Sequence, residues 1–256
     1  IGVTGVQTCA LPIFSLPGVI DSEQGFSITG GSLTYNDKRN FVADIQQHCP
    51  VPITIENDAK CAALAEAWKG SLVGCKNGIV VVLGTAVGGG IFLNGQLYKG
   101  SHFAAGELSF LLTDSWHAKG EPYHYWGHDG GSRGLCRAVE HIKRLPPKSV
   151  NGQQVFEWAN EGDEDVCEAL DAYTYRLAMQ FFNLQSLFDP DVIAVGGGIS
   201  AQPLLLQYIE QNLVYLEQHL PMHLTIPKVV RCHFMNDANL VGALHHHLQM
   251  TETPVP

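Results

Sequence analysis

The sequence is poor in charge, and its charge has the wrong sign for nucleic acid. Only 16% of its 256 residues are Asp, Glu, Lys or Arg, and 15 Lys and Arg face 25 Asp and Glu, a formal net charge of -10. No basic surface is left to neutralise a run of phosphates, so non-specific nucleic-acid binding is excluded. Long hydrophobic runs are missing too. Gly, Pro, Asn or a charge interrupts every stretch before 18 apolar residues accumulate, which excludes a membrane-spanning helix. The seven cysteines, Cys9, Cys49, Cys61, Cys75, Cys136, Cys167 and Cys232, are odd in number, scattered, and contain no Cys-x-x-Cys pair. Such spacing reads as reduced thiols of a cytoplasmic protein, not as a disulfide framework or a structural zinc site. The opening from Ile1 to Ile20 has no basic n-region, carries Pro12 and Pro17, and ends in no small-residue cleavage pattern, so it does not read as a secretory signal.

What is present suits a globular α/β protein. Hydrophobic residues make up 45% of the chain, beside 27 Gly and 13 Pro, and the length accommodates two modest lobes. Gly18 to Asn40 reads as turns around short strands, Phe41 to His48 as a short helix, and Ile53-Thr54-Ile55 as a strand. Glu56-Asn57-Asp58 ends that strand and opens an alanine-rich helix reaching Trp68, with Asn57 or Asp58 available to cap it. Gly78 to Leu83 is a buried strand, followed by a glycine-dense turn from Gly84 to Gly90 and the strand Ile91-Phe92-Leu93. Asn94-Gly95 then signals a type I′ hairpin into Gln96-Leu97-Tyr98. From Ser132 the pattern is helical, with a long amphipathic stretch from Asp165 to Phe188. There Phe181, Phe182, Leu184, Leu187 and Phe188 follow helical spacing, as core or dimer contact. Val192 to Val195 is a second buried strand running into Gly196-Gly197-Gly198, and Asp237 to Leu248 is a final helix whose His245-His246-His247 reads as a solvated face.

Several of these residues can carry chemistry, each with a plainer alternative. The Gly84 to Gly90 segment fits neither the Gly-x-x-x-x-Gly-Lys-Ser/Thr loop nor Gly-x-Gly-x-x-Gly, yet inward backbone N–H groups and the Thr85 hydroxyl can hold anionic oxygens. The alternative is an ordinary hairpin tip. Gly196 to Ser200 joins a strand to a helix start, where backbone approaches a ligand closely, or simply packs. Asp58 beside Asn57 can accept a hydroxyl proton during phosphoryl transfer, or merely cap a helix. Glu107, in Ala105-Gly106-Glu107, can grip vicinal hydroxyls, or be a solvated acid.

Taken together, the segments Pro-Gly-Val-Ile-Asp (Pro17 to Asp21), Glu-Asn-Asp-Ala (Glu56 to Ala59), Gly-Thr-x-Val-Gly-Gly-Gly (Gly84 to Gly90), Ala-Gly-Glu (Ala105 to Glu107) and Gly-Gly-Gly-Ile-Ser (Gly196 to Ser200) resemble the ROK (repressor, ORF, kinase) family of sugar kinases. The resemblance implies the α/β, actin and hexokinase-like (ribonuclease H-like) two-lobed ATPase fold. Residues 1–68 would be a small lobe completed by the C-terminal helix 237–256, and 69–236 a large lobe carrying the nucleotide loops. It implies Asp58 as general base and Asn57, Glu107 and Gly31 as sugar-binding residues. Gly84, Thr85, Gly88 and Gly89 would bind nucleotide phosphates, and Gly196, Gly197 and Gly198 would surround the adenosine. ATP with Mg2+ and a small-molecule sugar are the implied ligands, in a cytoplasmic homodimer.

Three departures from the family pattern carry expectations. Phe110 stands where the family has a histidine that ligates zinc and touches sugar, and no cysteine ligand set occurs near Trp126 to Gly131. His117, His124 and His128 lack the thiolates that would complete a site, so no structural zinc is expected. An aromatic ring in place of a polar contact also relaxes selection for a free anomeric hydroxyl, which points to the zinc-free β-glucoside kinase branch and the 6-hydroxyl of a glucoside or hexose. Finally, the family's first phosphate loop is not found, the first residue is Ile, and Gly5 to Ile13 fits nothing in the family. The small lobe is therefore expected to be incomplete, residues 1–14 partly non-native, and the chain weakly active or inactive as it stands. The alternative reading is the effector-binding region of a ROK-type sugar-responsive repressor, and a third is a sugar-binding protein without nucleotide.

Overall fold

A computed structural model describes residues 12–114, 119–221 and 224–251. Most of the expectation about Gly5 to Ile13, and that about His117, lie outside them. The first strand, β1 (Ile13–Leu16), is followed by the short strands β2 (Ile20–Asp21), β3 (Phe26–Ser27) and β4 (Arg39–Asn40), then α1 (Phe41–Gln46) and β5 (Thr54–Asn57). β1 pairs in parallel with β5, and β2, β3 and β4 make a small antiparallel sheet. The Asn40 side chain accepts the Ala43 N–H at 2.9 Å and so caps α1. Leu16, Ile20 and Ile55, with Phe14, Phe41 and Val42 against them, form a core separate from the rest of the molecule.

The chain continues through α2 (Asp58–Lys69) into β6 (Gly78–Leu83), β7 (Val87–Leu93) and β8 (Gln96–Leu97). Four helices follow, α3 (Trp126–Asp129), α4 (Ser132–Ile142), α5 (Gly152–Asn160) and α6 (Glu164–Phe188). The remaining elements are β9 (Val192–Gly196), α7 (Pro203–His219), β10 (Val229–Arg231) and α8 (Ala238–Met250). The five-stranded sheet has the order β10-β9-β6-β7-β8, with β9 parallel to β6 and to β10, and the hairpin strands antiparallel. Asn94 and Gly95 take φ values of 55° and 76°, as the hairpin signal required.

Both faces of β6 are covered, which is why its sequence is a continuous apolar run and not an alternating one. Ile79, Val81 and Leu83 face a large core with Leu135, Phe156, Leu170, Phe181 and Leu213 from the helices. Val80, Phe92 and Ala194 face Ala62, Ala63 and Ala65 of α2 and Ala238 of α8. The expected boundary at residues 68/69 falls at the C-terminal end of α2, a helix that is itself packed on the large sheet. The small side chains of α2 also let α8 cross it closely, and a Cβ built on Gly242 would stand 1.6 Å from the Cys61 carbonyl oxygen.

The structure differs from two sequence expectations, the glycine turn and the histidine triplet. The glycine-dense turn is only residues 84–86, because Gly88, Gly89 and Gly90 are strand residues of β7. Strand interiors disfavour glycine unless something approaches closely, and here something does. A Cβ on Gly88 would lie 2.7 Å from that of Ala59, on Gly89 2.5 Å from Leu108, and on Gly90 2.4 Å from that of Ala63. The histidine triplet is not a solvated face: His246 and His247 are buried, His247 Nδ1 is 3.0 Å from Thr54 Oγ1, and His245 stacks on Trp68. Burial lowers the pKa of all three. The triplet misleads because helical spacing turns α8 toward α2 and β5 at these positions. In α6, Phe181 and Leu184 are core while Leu187 is 72% exposed. Among the described residues no helix is long and apolar enough to cross a membrane.

Candidate active site

The junction of β5 and α2 is held from both sides. Asn57 has extended backbone and its Oδ1 accepts the Lys60 N–H at 3.0 Å, so Asn57, not Asp58, caps α2. Asn57 Nδ2 donates to the Gly18 carbonyl at 2.9 Å, and the residue is only 4% exposed. That leaves one N–H of its amide for a ligand. Gly31, at φ +56, belongs to the same arrangement: a Cβ on it would come within 2.9 Å of Gly18 N.

Asp58 begins α2, where the helix dipole favours an anion. Its Oδ1 accepts the Ala59 N–H at 2.8 Å. The residue is exposed, yet protein atoms stand close around its carboxylate. The resulting loss of hydration raises its pKa above the ordinary carboxylate value, against the opposing pull of backbone N–H bonds and Lys60.

Glu107 arrives from a loop that turns through three left-handed residues, Gly100, Phe103 and Gly106. Gly106 lies against the Gly89 carbonyl, to which a Cβ would be 2.9 Å distant, and Ser109 Oγ donates to the Val87 carbonyl at 2.6 Å. Burial raises the Glu107 pKa, while Lys60 lowers it and the Asp58 charge raises it, so the two carboxylates feel each other. Beneath them lies a residue sequence reasoning missed. Lys60 is 1% exposed, its Nζ 3.8 Å from Glu107 Oε1 and 2.6 Å from the Phe103 carbonyl oxygen. Its signal in the sequence is a lysine in the first turn of an alanine-rich helix, where the dipole opposes a cation. Glu56 is wholly buried behind Asn57; its Oε1 accepts the Asn57 N–H, and its Oε2 is 2.9 Å from Lys99 Nζ.

The two glycine corners share one end of the sheet. Val82 pairs with Gly196, so the turn after β6 and the turn after β9 lie side by side. Gly197 has φ +90 and packs so tightly under β6 that a Cβ would come 2.3 Å from the Leu83 carbonyl, whereas Gly198 faces open space. Gly84 lends its carbonyl to the Ser132 N–H at 2.8 Å and to the Ser132 hydroxyl at 2.9 Å, which fixes the start of α4 to the corner. Thr85 and Ala86 are exposed. Because Ala59 lies on Gly88, the Asp58 end of α2 sits beside this corner. The structure thus brings together Asp58, Asn57, Gly31 and Glu107, with Thr85 and Gly84 alongside and Gly196 to Gly198 beyond. Gly88 and Gly89 sit within this region as strand positions packed against Ala59 of α2 and against Leu108 beside Glu107, respectively.

Phe110 ends the short 3-10 turn Leu108–Phe110 that follows Glu107 and is 73% exposed; just beyond it Leu112 bridges to Tyr125 and the Trp126 N–H donates to the Leu111 carbonyl at 2.8 Å. His128 Nδ1 is 2.7 Å and His124 Nδ1 3.9 Å from Asp129. Among the described residues no group of three or more His, Cys, Asp or Glu is arranged to hold a metal ion. An open groove between α4 and α6, lined by Arg137, His141 and Glu168, contains none of the candidate residues.

The sequence pattern of the ROK family matches residues 6–249. The β-glucoside kinase of Klebsiella pneumoniae is 32% identical over 250 residues, covering 96% of this chain and 81% of that protein. A ROK family protein of Streptococcus pneumoniae TIGR4, solved in complex with sucrose, superposes with a TM-score of 0.83 at 26% identity, covering 94% of this chain and 81% of that one. A ROK family glucokinase of Streptomyces griseus, solved with glucose and AMPPNP, has a TM-score of 0.81 at 22% identity over 93% of this chain and 81% of that one, a likeness of fold.

Proposed function

The chain belongs to the ROK family, it is an ATP-dependent carbohydrate kinase of actin and hexokinase-like fold, and on that premise we propose that Asp58 takes the proton from the 6-hydroxyl of a glucoside. The observation that carries the reading is the Asp58 carboxylate at the end of β5, held by the Ala59 N–H beside Asn57 and next to two glycine corners on one sheet edge.

In this reaction the sugar hydroxyl oxygen forms a bond to the γ-phosphorus of ATP, and the bond from that phosphorus to the β,γ-bridging oxygen breaks. ADP leaves with the electron pair, and the hydroxyl proton passes to Asp58. The Ala59 N–H holds the carboxylate in position for that transfer. Asn57 and Glu107 grip neighbouring hydroxyls, with Gly31 lining the same side. Thr85 and the backbone of Gly84 to Ala86 receive the phosphates, while Gly197 and the open Gly198 receive the nucleoside. Magnesium enters bound to ATP as part of that substrate. The two-lobe division fits this reading, with α2 and α8 as elements shared across the boundary. A cytoplasmic site, where ATP is plentiful, and a homodimer using the exposed Leu187 fit it as well.

Phe110 directs the choice of acceptor. A phenyl ring offers no lone pair to a zinc ion, and its exposed face can stack on a sugar or aryl substituent at the anomeric position. The β-glucoside kinase relative and the sucrose complex both support a substituted sugar. Incubation of the chain, whose turnover is expected to be slow, with magnesium ATP and either cellobiose or glucose, followed by 31P NMR over an extended time course, tests the proposal. Phosphorylated cellobiose should dominate at equal acceptor concentration, and sugar binding without ADP release would favour an effector-binding role. Phe110→Ala should raise the KM for cellobiose about 3- to 10-fold, the loss of one stacking contact. The KM for glucose should change much less.

A further inference from the structure

Lys60 is a poor choice for its position unless it does something. A lysine is costly to bury, and the first turn of a helix repels a cation. What surrounds it is the compensation. Glu107, Glu56 and Asp58 all favour its charge, Lys99 opposes it, and burial lowers its pKa more than any of them. The ammonium donates to the Phe103 carbonyl at 2.6 Å and stands 3.8 Å from Glu107 Oε1. Phe103 has φ +59, a conformation that a bulky residue adopts only when held. Lys60 therefore links α2, on which both it and Asp58 sit, to the loop that delivers Glu107.

We infer that Lys60 is a positioning residue for the acceptor site: it pins the 99–107 loop to α2 and keeps Glu107 ionised and aimed at the sugar. This inference rests on the sugar-kinase reading and deepens it. Sugar binding needs the ionised form of Glu107, so affinity falls as pH drops through its pKa. The Lys60 cation lowers that pKa, and without it the fall begins at higher pH.

The test is calorimetric titration of the 256-residue chain with cellobiose across pH 5 to 8, an equilibrium readout that needs no turnover. Lys60→Met should weaken cellobiose binding about 10- to 100-fold at neutral pH, the range for loss of a charge-assisted contact. Its loss of affinity on acidification should also start at higher pH. Lys60→Arg, which keeps the charge, should restore most of the affinity and the original pH dependence. Burying Glu107 without its partner threatens folding, so Lys60→Met is also made in a Glu107→Gln background. There it should cause little further loss. Unchanged affinity and pH dependence in folded Lys60→Met would overturn the inference alone, as would a full additional loss in the Glu107→Gln background. No sugar binding by the unsubstituted chain would overturn the sugar-kinase reading and this inference with it.

Discussion

In a form of the protein that carries the family's first phosphate loop, Asp58→Ala should lower kcat for the preferred sugar by about 10²- to 10⁴-fold, the contribution expected of a positioned general base. The sugar Kd should stay within a few-fold of the original, because Asn57, Glu107 and Gly31 remain. The pH profile supplies an independent check. A base works only when ionised, and burial raises the Asp58 pKa. The acid limb of kcat should therefore lie above the range of an ordinary carboxylate and vanish in the variant. A drop of less than tenfold, or an unaltered acid limb in the residual activity, would count against Asp58 as the base. Loss of an acid from the first turn of α2 should cost no more than about 1 kcal/mol of stability, so reduced turnover will not reflect unfolding.

The second large effect is structural. At Gly242 the backbone of α8 rests on the Cys61 carbonyl, and a Cβ there would stand 1.6 Å from the oxygen. Neither partner is a flexible side chain. Gly242→Ala must push the helices apart, and overpacking of this kind costs about 3 kcal/mol, the upper end of the usual range. For a domain of this size the melting temperature should fall by about 6 to 12 °C, readable by calorimetry. Leu240→Ala, on the exposed side of the same helix at 66% exposure, should change it little. Equal shifts for the two variants would mean that α8 does not cross α2 as closely as described.

How far the sequence could be read depended on the range of the forces involved. Strand β6 and helix α6 were legible from local patterns, since burial on both faces makes an unbroken apolar run and burial on one face makes a helical repeat. The strand-to-helix step at Asn57 and Asp58 was legible too, because capping is decided within four residues. Gly88 to Gly90 were not. Glycine marks a turn in local sequence, and only pairing with β6 and the close approach of Ala59, Leu108 and Ala63 explain glycine at these strand positions. The same holds for His246 and His247, whose burial is set by α2 and β5 across the molecule. Lys60 escaped notice because its partners, Phe103 and Glu107, are more than forty residues away in the chain.

The last helix has a consequence for the order in which the protein is made. α8 covers the alanine face of α2 and reaches β5, so segments near opposite ends of the chain complete one layer. While the ribosome is still adding residues before 238, that layer lacks its cover. Non-local closure of this kind is slow. Closure of this layer must therefore wait until residues 238–250 have been made, and until then the alanine face of α2 stays uncovered.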